Sequence, residues 1–461
     1  MAAASPILCF LSLLSLSSLV SSTTISLPLS HFTRNPSPDP YQNLNHLVSA
    51  SLTRAHHLKN PQSTTTTTTI STTPLFPHSY GAYSISLSFG TPPQTIPFLM
   101  DTGSDLVWFP CTHRYICNNC SFSSTANPPP LNTFIPKSSS SSKIVGCLSP
   151  KCGWIHDPDI QSRCSDCASG SSNCTQICPP YLILYGSGST GGLLLSETLD
   201  LPEKHVPEFI VGCSIFSSRQ PAGIAGFGRG PPSLPSQLGL KKFSYCLLSR
   251  QFDDTSKSSS LVLDGASDSG EKTDGVVYTP FVENPKVAGR RAFSVYYYVG
   301  LRRITVGGKR VKVPYRYLTP GIDGSGGTIV DSGTTFTFMS GEVFELVANE
   351  FENQVKSYKR AMDVEAKTGL RPCFNASGHE TLSLPELRFH FKGGAEMGLP
   401  LENYFVIVDN SGAVCMAVVT DGVVGGSGGP AIILGNFQTQ NFYVEYDLRN
   451  ERLGFRRQSC K

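Results

Sequence analysis

Charged residues are scarce in this chain, because only 15% of its 461 residues are Asp, Glu, Lys or Arg and the net charge is +3. It has no dense Lys/Arg block, so neither nucleic acid nor an anionic membrane surface is an expected partner. Its ten His residues form no H-E-x-x-H or similar metal spacing, and we expect neither a metal nor another cofactor. The length allows one large two-lobed domain or roughly two to three smaller ones.

Long apolar runs are also missing after residue 22. Residues 1–22, "MAAASPILCFLSLLSLSSLVSS", are uncharged and rich in Leu and Ser, and they predict a signal peptide. A membrane anchor is the alternative, but the strongly apolar part is too short to span a bilayer comfortably. The C-terminal "RLGFRRQSCK" has no tail of the lipid-anchor type, so we expect a soluble protein with no membrane association after signal removal.

Cysteine usage also indicates export to an oxidising compartment. Of the fifteen Cys residues, Cys9 lies in the signal peptide, and the fourteen that remain form an even set suited to disulfides. The pairs Cys117/Cys120 and Cys164/Cys167 have zinc-site spacing, but an oxidising compartment favours disulfides. Weaker support for export comes from the N-glycosylation sequons at Asn119, Asn173 and Asn375.

The amino-acid composition of the chain changes near Tyr80. Residues 23–79 are rich in Ser, Thr, Pro and His and should pack poorly by themselves, as a linker or propeptide would. Beyond them, short apolar runs broken by many of the 42 Gly and 34 Pro predict a mostly β protein. The best helix candidate is Ser340 to about Tyr358. A Cys-dense insertion at 111–178 has few apolar runs and should depend on disulfides.

Two apolar runs end at an Asp in the same way. "FLMDTGSDLVW" presents Asp101 and "GTIVDSGTTFTF" presents Asp331. The alternative for either copy alone is an ordinary Asp-Gly turn. However, each copy is followed by an apolar-apolar-Gly signal, at Gly226 in "AGIAGFGRG" and at Gly435 in "AIILGNF". The two halves of the chain therefore contain the same motifs in the same order.

A D-[T/S]-G turn at the end of a buried strand suits acid-base chemistry. Its hydroxyl can form hydrogen bonds across to a partner, and its Gly lets backbone N–H groups approach the carboxylate. If two such turns face each other, Asp101 and Asp331 share one proton, because like charges so close cannot both ionise easily. One carboxylate then acts as base and the other as acid, and the pair can activate a water molecule.

These motifs resemble the active-site loops of pepsin-like aspartic proteases, and more closely those of the plant nepenthesin-like subgroup. The resemblance extends from about Tyr80 to Cys460. It is carried by "SLSFGTPPQ", "DTGSDLVWFPC", "FIVGCS", "GIAGFGRGPPSLPSQL", "FSYCL", "YYYVGLRRITVGGKRV", "GTIVDSGTTFT" and "ILGNFQTQNFYVEYDL".

The resemblance implies a mostly β, bilobal fold with the catalytic dyad Asp101 and Asp331 in a cleft. Ser104 and Thr334 would bond the outer carboxylate oxygens, and Thr102 and Ser332 would cross-brace the loops. The remaining implied site residues are Gly103 and Gly333 in the loops, and Tyr185, Gly186 and Trp108 at a flap. The flap reads "YGSGSTGG", with Ser187 where such proteins more often have Asp.

The resemblance also implies a layout and an activity. The propeptide would be 23–79, the N-terminal lobe 80–275 and the C-terminal lobe 276–461. The mature protein would be a monomeric, acid-acting endopeptidase that cleaves polypeptides, binds pepstatin-type inhibitors and resides outside the cell, in the cell wall, or in the vacuole. Lys59 or Arg54 could cover the carboxylates in the zymogen.

The resemblance to this family also implies disulfide pairs. The resemblance implies Cys111–Cys117, Cys120–Cys213, Cys246–Cys460 and Cys373–Cys415. The other six cysteines should pair within the insertion, where the sequence does not fix the connectivity. The working assignment is Cys147–Cys178, Cys152–Cys174 and Cys164–Cys167.

Two other functions compete with the enzyme. Some plant proteins of this fold are inhibitors of cell-wall-degrading glycosidases or surface glycoproteins, and they typically have a damaged dyad. Both loops and the flap Tyr are intact in this chain, which favours the enzyme. A disulfide-rich structural glycoprotein would explain the cysteines but not the duplicated carboxylate turns.

Overall fold

A computed structural model provides the coordinates of the chain. The signal-peptide prediction, Asn119, Asn173, Cys167, Gly186 and Ser187 lie outside the residues that it describes. The described residues are 24–31, 39–60, 81–118, 120, 132–156, 164, 174–185, 188–220, 222–249, 258–265, 272–288, 290–379, 381–408, 411–422 and 428–460.

The first half of the chain is dominated by strands. In chain order its elements are β1 (Thr24–His31), α1 (Pro40–Lys59), β2 (Tyr83–Phe89), β3 (Gln94–Asp101), β4 (Trp108–Pro110), β5 (Ile116–Asn118), β6 (Lys143–Ile144), β7 (Tyr181–Tyr185), β8 (Gly188–Leu201), β9 (Lys204–Ser218), β10 (Gly223–Gly226), α2 (Leu234–Leu238), β11 (Lys242–Cys246) and β12 (Ser258–Asp264). Short 3-10 segments lie at Pro136–Ser138 and Pro150–Trp154.

The second half has a similar composition. It contains β13 (Val277–Pro280), β14 (Tyr297–Val299), β15 (Leu301–Val306), β16 (Lys309–Val311), α3 (Tyr315–Leu318), β17 (Thr328–Val330), β18 (Thr337–Met339), α4 (Gly341–Gln354), β19 (Lys359–Arg360), α5 (Met362–Thr368), β20 (Cys373–Asn375), β21 (Leu387–Phe391), β22 (Glu396–Gly398), β23 (Phe405–Val408), β24 (Ala413–Met416), β25 (Val418–Val419), β26 (Ile432–Leu434), β27 (Phe442–Asp447) and β28 (Arg452–Arg457). Further 3-10 segments are Arg291–Ser294, Lys392–Gly394 and Leu401–Asn403.

The strands form two β lobes joined through one large sheet, so the expected mostly β, bilobal fold is confirmed. The large sheet runs in the order β13-β28-β27-β11-β12-β1-β2-β3-β10-β4-β9-β8-β6. C-terminal strand β27 pairs with N-terminal strand β11, and this pairing joins the two lobes within the sheet. The C-terminal lobe adds the sheets β14-β17-β26-β18-β25, β16-β15-β21-β22 and β19-β20-β24-β23. Alternating burial along β2 places Ile85, Leu87 and Phe89 in the core.

Residues 23–79 contain two ordered elements that the composition did not predict. Strand β1 pairs with β12 along most of its length and also with β2, and it buries Ile25, Leu27 and Leu29. Helix α1 begins after Asp39, whose carboxylate accepts a hydrogen bond from the Tyr41 N–H (2.9 Å). Both elements pack on the rest of the molecule, so their order comes from tertiary contacts that composition does not reveal.

Helix α1 has one buried face. Its buried residues recur with helical spacing and are Leu44, Leu47, Val48, Ser51, Arg54, Ala55, Leu58 and Lys59. The apolar members of this face pack against Tyr296, Phe336 and Phe338 of the C-terminal lobe. The predicted helix at Ser340 to about Tyr358 is present as α4, which begins directly after Ser340 and ends earlier, at Gln354.

The disulfides at the start of the insertion differ from the implied pairs. Cys111 bonds to Cys213 and Cys117 bonds to Cys120, so Cys111–Cys117 and Cys120–Cys213 are wrong. The cause is strand register, because Phe109 of β4 lies opposite Cys213 of β9 and places Cys111 within reach, at 5.1 Å between Cα atoms. The bond between Cys117 and Cys120 also removes their zinc alternative.

The pairs within the insertion differ as well. The structure contains Cys147–Cys164 and Cys152–Cys178, so Cys147–Cys178, Cys152–Cys174 and Cys164–Cys167 are wrong. A bridge between Gly146 and Ile177 sets the alignment, because Cys147 N then donates to Gln176 O rather than facing Cys178. The other two pairs, Cys246–Cys460 and Cys373–Cys415, are those that the resemblance implies.

Two further features concern the surface. Asn375, at the end of β20, has an exposed side chain, which leaves this sequon accessible. Along the described part of the chain, none of the helices is both long and apolar enough to cross a bilayer.

Asp105 fixes the turn that follows β10. Its Oδ1 accepts a hydrogen bond from Gly230 N (2.9 Å). A Cβ atom at Gly228 would lie 2.4 Å from Asp105 Oδ1, and one at Gly230 would lie 1.9 Å from Oδ2. The turn therefore needs glycine at both positions, because it packs its backbone directly on the carboxyl group.

The ionisation of Asp105 is unfavourable in this position. Burial raises its pKa to about 7, and the neighbouring Asp101 charge adds to the effect. The Gly230 N–H and the positive charge of Arg291 act in the opposite direction but do not cancel it. Asp105 is therefore protonated in the acidic range and loses its proton near neutrality.

We predict that Asp105→Asn stabilises the chain at pH 7 and has little effect at about pH 3.5. An unfolded Asp titrates near 3.9, so the raised folded-state pKa costs stability progressively between about pH 4 and 7, by at most about 4 kcal/mol. The melting temperatures of wild type and variant at both pH values test this, with the exposed Asp274→Asn as control. An equal shift at both pH values would contradict the role of ionisation.

Candidate active site

Two strand ends deliver Asp101 and Asp331 to the same place. Asp101 is the last residue of β3, and Asp331 directly follows β17. In each lobe a parallel strand lies beside this end, since Gly226 of β10 is opposite Asp101 and Leu434 of β26 is opposite Val330. The two apolar-apolar-Gly signals therefore support the two Asp-bearing strands in equivalent ways.

The two loops are cross-braced by their hydroxyl residues. Thr102 N donates to Ser332 Oγ (3.0 Å), and Ser332 N donates to Thr102 Oγ1 (2.9 Å). The Ser332 hydroxyl then donates to Met100 O (3.0 Å), and the Thr102 hydroxyl to Val330 O (3.4 Å). This reciprocal network fixes the distance between the loops.

Each carboxylate has the same set of donors. Asp101 accepts from Ser104 Oγ at Oδ2 (2.5 Å) and from Gly103 N at Oδ1 (3.0 Å). Asp331 accepts from Thr334 Oγ1 at Oδ2 (2.5 Å) and from Gly333 N at Oδ1 (3.1 Å). The duplicated motifs thus produce duplicated geometry around the two carboxylates.

Glycine is required in both loops because each faces the opposite carboxylate. A Cβ atom at Gly103 would lie 2.6 Å from Asp331 Oδ1, and one at Gly333 would lie 2.6 Å from Asp101 Oδ1. Any larger residue would push the two carboxylates apart. The third position of the D-[T/S]-G motif therefore sets the close approach of the pair.

Arg54 of α1 occupies the space in front of both carboxylates. Its Nη2 lies 2.6 Å from Asp101 Oδ1 and 3.3 Å from Asp331 Oδ1, and its Nε lies 3.0 Å from Asp331 Oδ2. All three side chains are largely or wholly buried. Of the two cations that the sequence offered for this position, the structure places Arg54 there.

Charge and burial oppose each other in this group. Burial raises the pKa of Asp101 to about 6, and the Asp331 charge acts in the same direction. Together they outweigh Arg54 and the hydrogen bonds, which lower this pKa. Burial also raises the pKa of Asp331, but the charge and hydrogen bond of Arg54 outweigh it and hold this pKa below its ordinary value. The pair therefore holds one proton over a wide acidic range.

The predicted flap corresponds to the hairpin of β7 and β8. Tyr185 ends β7 opposite Gly188, and its hydroxyl accepts a hydrogen bond from Trp108 Nε1 (2.7 Å). Burial raises the pKa of Tyr185 well above its ordinary value. The ring of His57 in α1 lies 6.5 Å from the Tyr185 ring, measured between centroids.

Contacts between α1 and the second loop were missed by sequence reasoning. Ser51 Oγ accepts a hydrogen bond from Phe336 N (3.0 Å), five residues after Asp331. The available signal was the spacing of Leu47, Ser51, Ala55 and Leu58, which marks one helical face. Arg54 lies on that face, whereas the Thr-rich composition around it suggested a segment without structure.

Family models and solved structures match this chain over most of its length. Residues 83–264 match the model described as "Xylanase inhibitor N-terminal", and residues 296–457 match "Xylanase inhibitor C-terminal". Among solved structures, the soybean basic 7S globulin superposes with a TM-score of 0.60 at 18% identity, covering 95% of this chain and 96% of that one. At this identity the match shows the fold alone.

Sequence relatives are closer. An Arabidopsis thaliana protein named a probable aspartyl protease is 34% identical over 423 residues, covering 82% of each chain. Aspartic proteinase nepenthesin-1 of Nepenthes gracilis is 33% identical over 387 residues, covering 82% of this chain and 78% of that protein. The chain therefore belongs to the plant family of pepsin-like aspartic proteases.

Proposed function

We propose that this chain is the zymogen of an exported aspartic endopeptidase that hydrolyses polypeptides at acidic pH. The observation that carries the proposal is the pair of mirrored carboxylates, Asp101 and Asp331, bridged by the single guanidinium of Arg54. A protein that used this fold only for binding would not need such a matched pair. In this proposal residues 1–22 are the signal peptide, 23–79 the propeptide, and 80–275 and 276–461 the two lobes.

Once Arg54 leaves, a water molecule takes its place between the carboxylates. In this proposal Asp331 is the ionised member of the pair and removes one proton from this water, whose oxygen forms a bond to the peptide carbonyl carbon. Asp101 gives its proton to the carbonyl oxygen. The resulting gem-diol then breaks the C–N bond, the amine takes the proton from Asp331, and a hydroxyl proton returns to Asp101.

The substrate needs space that α1 fills in the zymogen. Departure of the helix uncovers the apolar wall formed by Tyr296, Phe336 and Phe338. An extended polypeptide can occupy this cleft, and Tyr185 of the β7–β8 hairpin closes over it. The proposed mature enzyme is a monomer located outside the cell, in the cell wall, or in the vacuole.

Acid releases α1 through two groups whose pKa values are lowered when the helix is docked. Asp331 is held below its ordinary value by Arg54. Burial and the positive charge of Arg54 together lower the pKa of His57 to about 3, against the opposing charge of Asp331. A free His titrates near 6.5, so docking weakens as the pH falls from about 6.5 to 3, because the released helix binds more protons.

We expect Asp101→Asn and Asp331→Asn each to lower cleavage of an unstructured protein at about pH 4 by roughly a thousandfold or more. Asn has the size of Asp but cannot exchange the proton. The rate is followed on the acidified full chain with and without pepstatin, and the exposed Asp363→Asn is the control. Pepstatin-insensitive cleavage that survives in both variants would refute the dyad, and a folded wild type without cleavage would favour a binding protein such as a glycosidase inhibitor.

Arg54→Gln should convert to the mature form at higher pH than the wild type. The substitution removes the cation that is paired with both carboxylates, and breaking a buried ion pair typically costs about 3–5 kcal/mol. Mass spectrometry of the chain after incubation from pH 7 to 3 gives the midpoint of conversion. An unchanged midpoint would show that Arg54 does not hold the helix in the cleft.

His57→Gln should shift the conversion midpoint in the opposite direction, to lower pH, by roughly half a unit to one unit. The variant keeps a polar side chain but loses the proton uptake that favours release. His56→Gln is the matched control, because His56 is the exposed neighbour on the same helix. Equal shifts in both variants would mean that the location of His57 beside Tyr185 and Arg54 is irrelevant.

A further inference from the structure

The last residue of α1, Lys59, is buried in an unusual way. Its side chain is 3% exposed, and its Nζ lies 2.7 Å from Asp421 Oδ2. The same nitrogen lies 4.7 Å from the centroid of the Phe338 ring. Lysine side chains normally keep their ammonium group in water, so this burial requires a site that replaces the lost hydration.

Both contacting groups belong to the C-terminal wall of the cleft. Phe338 lies in β18, seven residues after Asp331, and Asp421 follows the neighbouring parallel strand β25, in which Val419 is opposite Phe338. The carboxylate and the aromatic face are therefore positioned by paired strands that lead away from the catalytic loop. They form part of the mature protein and remain when α1 leaves.

The main chain at Lys59 also contacts the lobe closely. A Cβ atom at Gly429 would lie 2.4 Å from Lys59 Cα and 2.5 Å from Lys59 O. Glycine at this position therefore lets another polypeptide backbone run against the wall. The lobe thus provides room for a main chain beside the pocket that takes the basic side chain.

The rise of α1 gives the offset, along the helix axis, between the dyad and the pocket. Lys59 follows Arg54 by five residues of helix, which is about 7.5 Å of rise. An extended peptide covers the same distance in about two residues. A peptide whose scissile bond lies at Asp101 and Asp331 would therefore bring a side chain about two positions away to Asp421.

We propose that Asp421 and Phe338 form a specificity pocket that selects a Lys or Arg side chain of the polypeptide substrate about two positions from the scissile bond. In the zymogen, Lys59 fills the pocket in place of that side chain. The pocket supplies an opposite charge and an aromatic face, two features that recognise a cation and disfavour Glu or Asp. This proposal rests on the proposed protease function.

The test compares peptides that differ at only one position, which carries Lys, norleucine or Glu. In successive peptide sets this position is moved stepwise along both sides of the scissile bond. Norleucine resembles the lysine stem without its charge. The acid-treated full chain should cleave the Lys peptide roughly five- to tenfold more efficiently, in kcat/KM, at one position about two residues from the bond. Asp421→Asn should remove this ratio by lowering kcat/KM for the Lys peptide, Asp421→Lys should favour Glu, and the exposed Asp363→Asn should keep the wild-type ratio.

A binding experiment separates the pocket from catalysis. The same peptides with a reduced, uncleavable bond are titrated into wild type, Asp421→Asn and the control Asp363→Asn. Tighter binding of the Lys peptide that disappears only in Asp421→Asn supports the pocket, even if cleavage is absent and the protease proposal fails. Equal binding and cleavage of Lys and norleucine peptides at every position would overturn the pocket while leaving the protease proposal intact.

Discussion

Two carboxylates held side by side in a buried site repel each other, and much of the molecule serves to keep them there. The cross-brace between Thr102 and Ser332 fixes their separation, and the backbone N–H groups and hydroxyls of the loops compensate part of the charge. The remaining excess negative charge makes the site a strong binder of protons or of a cation. Arg54 is that cation in this structure, so in the proposed zymogen the constraint that prepares the pair also provides the means to block it.

Helix α1, which belongs to the proposed propeptide, makes contacts of two kinds at this site. Its apolar residues cover a wall of the C-terminal lobe, whereas Arg54 and Lys59 place charges against carboxylates of the mature protein. The apolar contacts are insensitive to pH, whereas the contact of Arg54 depends on the protonation of Asp331. A helix held by both can be stable at neutral pH and still be displaced in acid, because its net binding free energy is a difference between larger opposing terms.

Much of the catalytic geometry could be predicted from the sequence, because the D-[T/S]-G motif is local and carries its own donors. Asp101, Asp331 and the cross-bracing hydroxyls are examples, since their contacts lie within a few residues or follow from the duplication. The disulfides Cys111–Cys213 and Cys147–Cys164 depend instead on strand register, which spacing does not reveal. Helix α1 and Asp421 could not be found either, because their contacts join segments that are distant in the chain.

Strand β1 gives the prosegment a second attachment of a different chemical character. It is held in the large sheet between β12 and β2, with Ile25, Leu27 and Leu29 in the core. This attachment consists of backbone pairing and apolar burial, neither of which titrates. In the proposed zymogen, acid that releases α1 from the cleft therefore leaves the helix tethered nearby. A tethered helix has a high effective concentration at the cleft, so before the connecting segment is cut, neutralisation restores the blocked state without a search through solution.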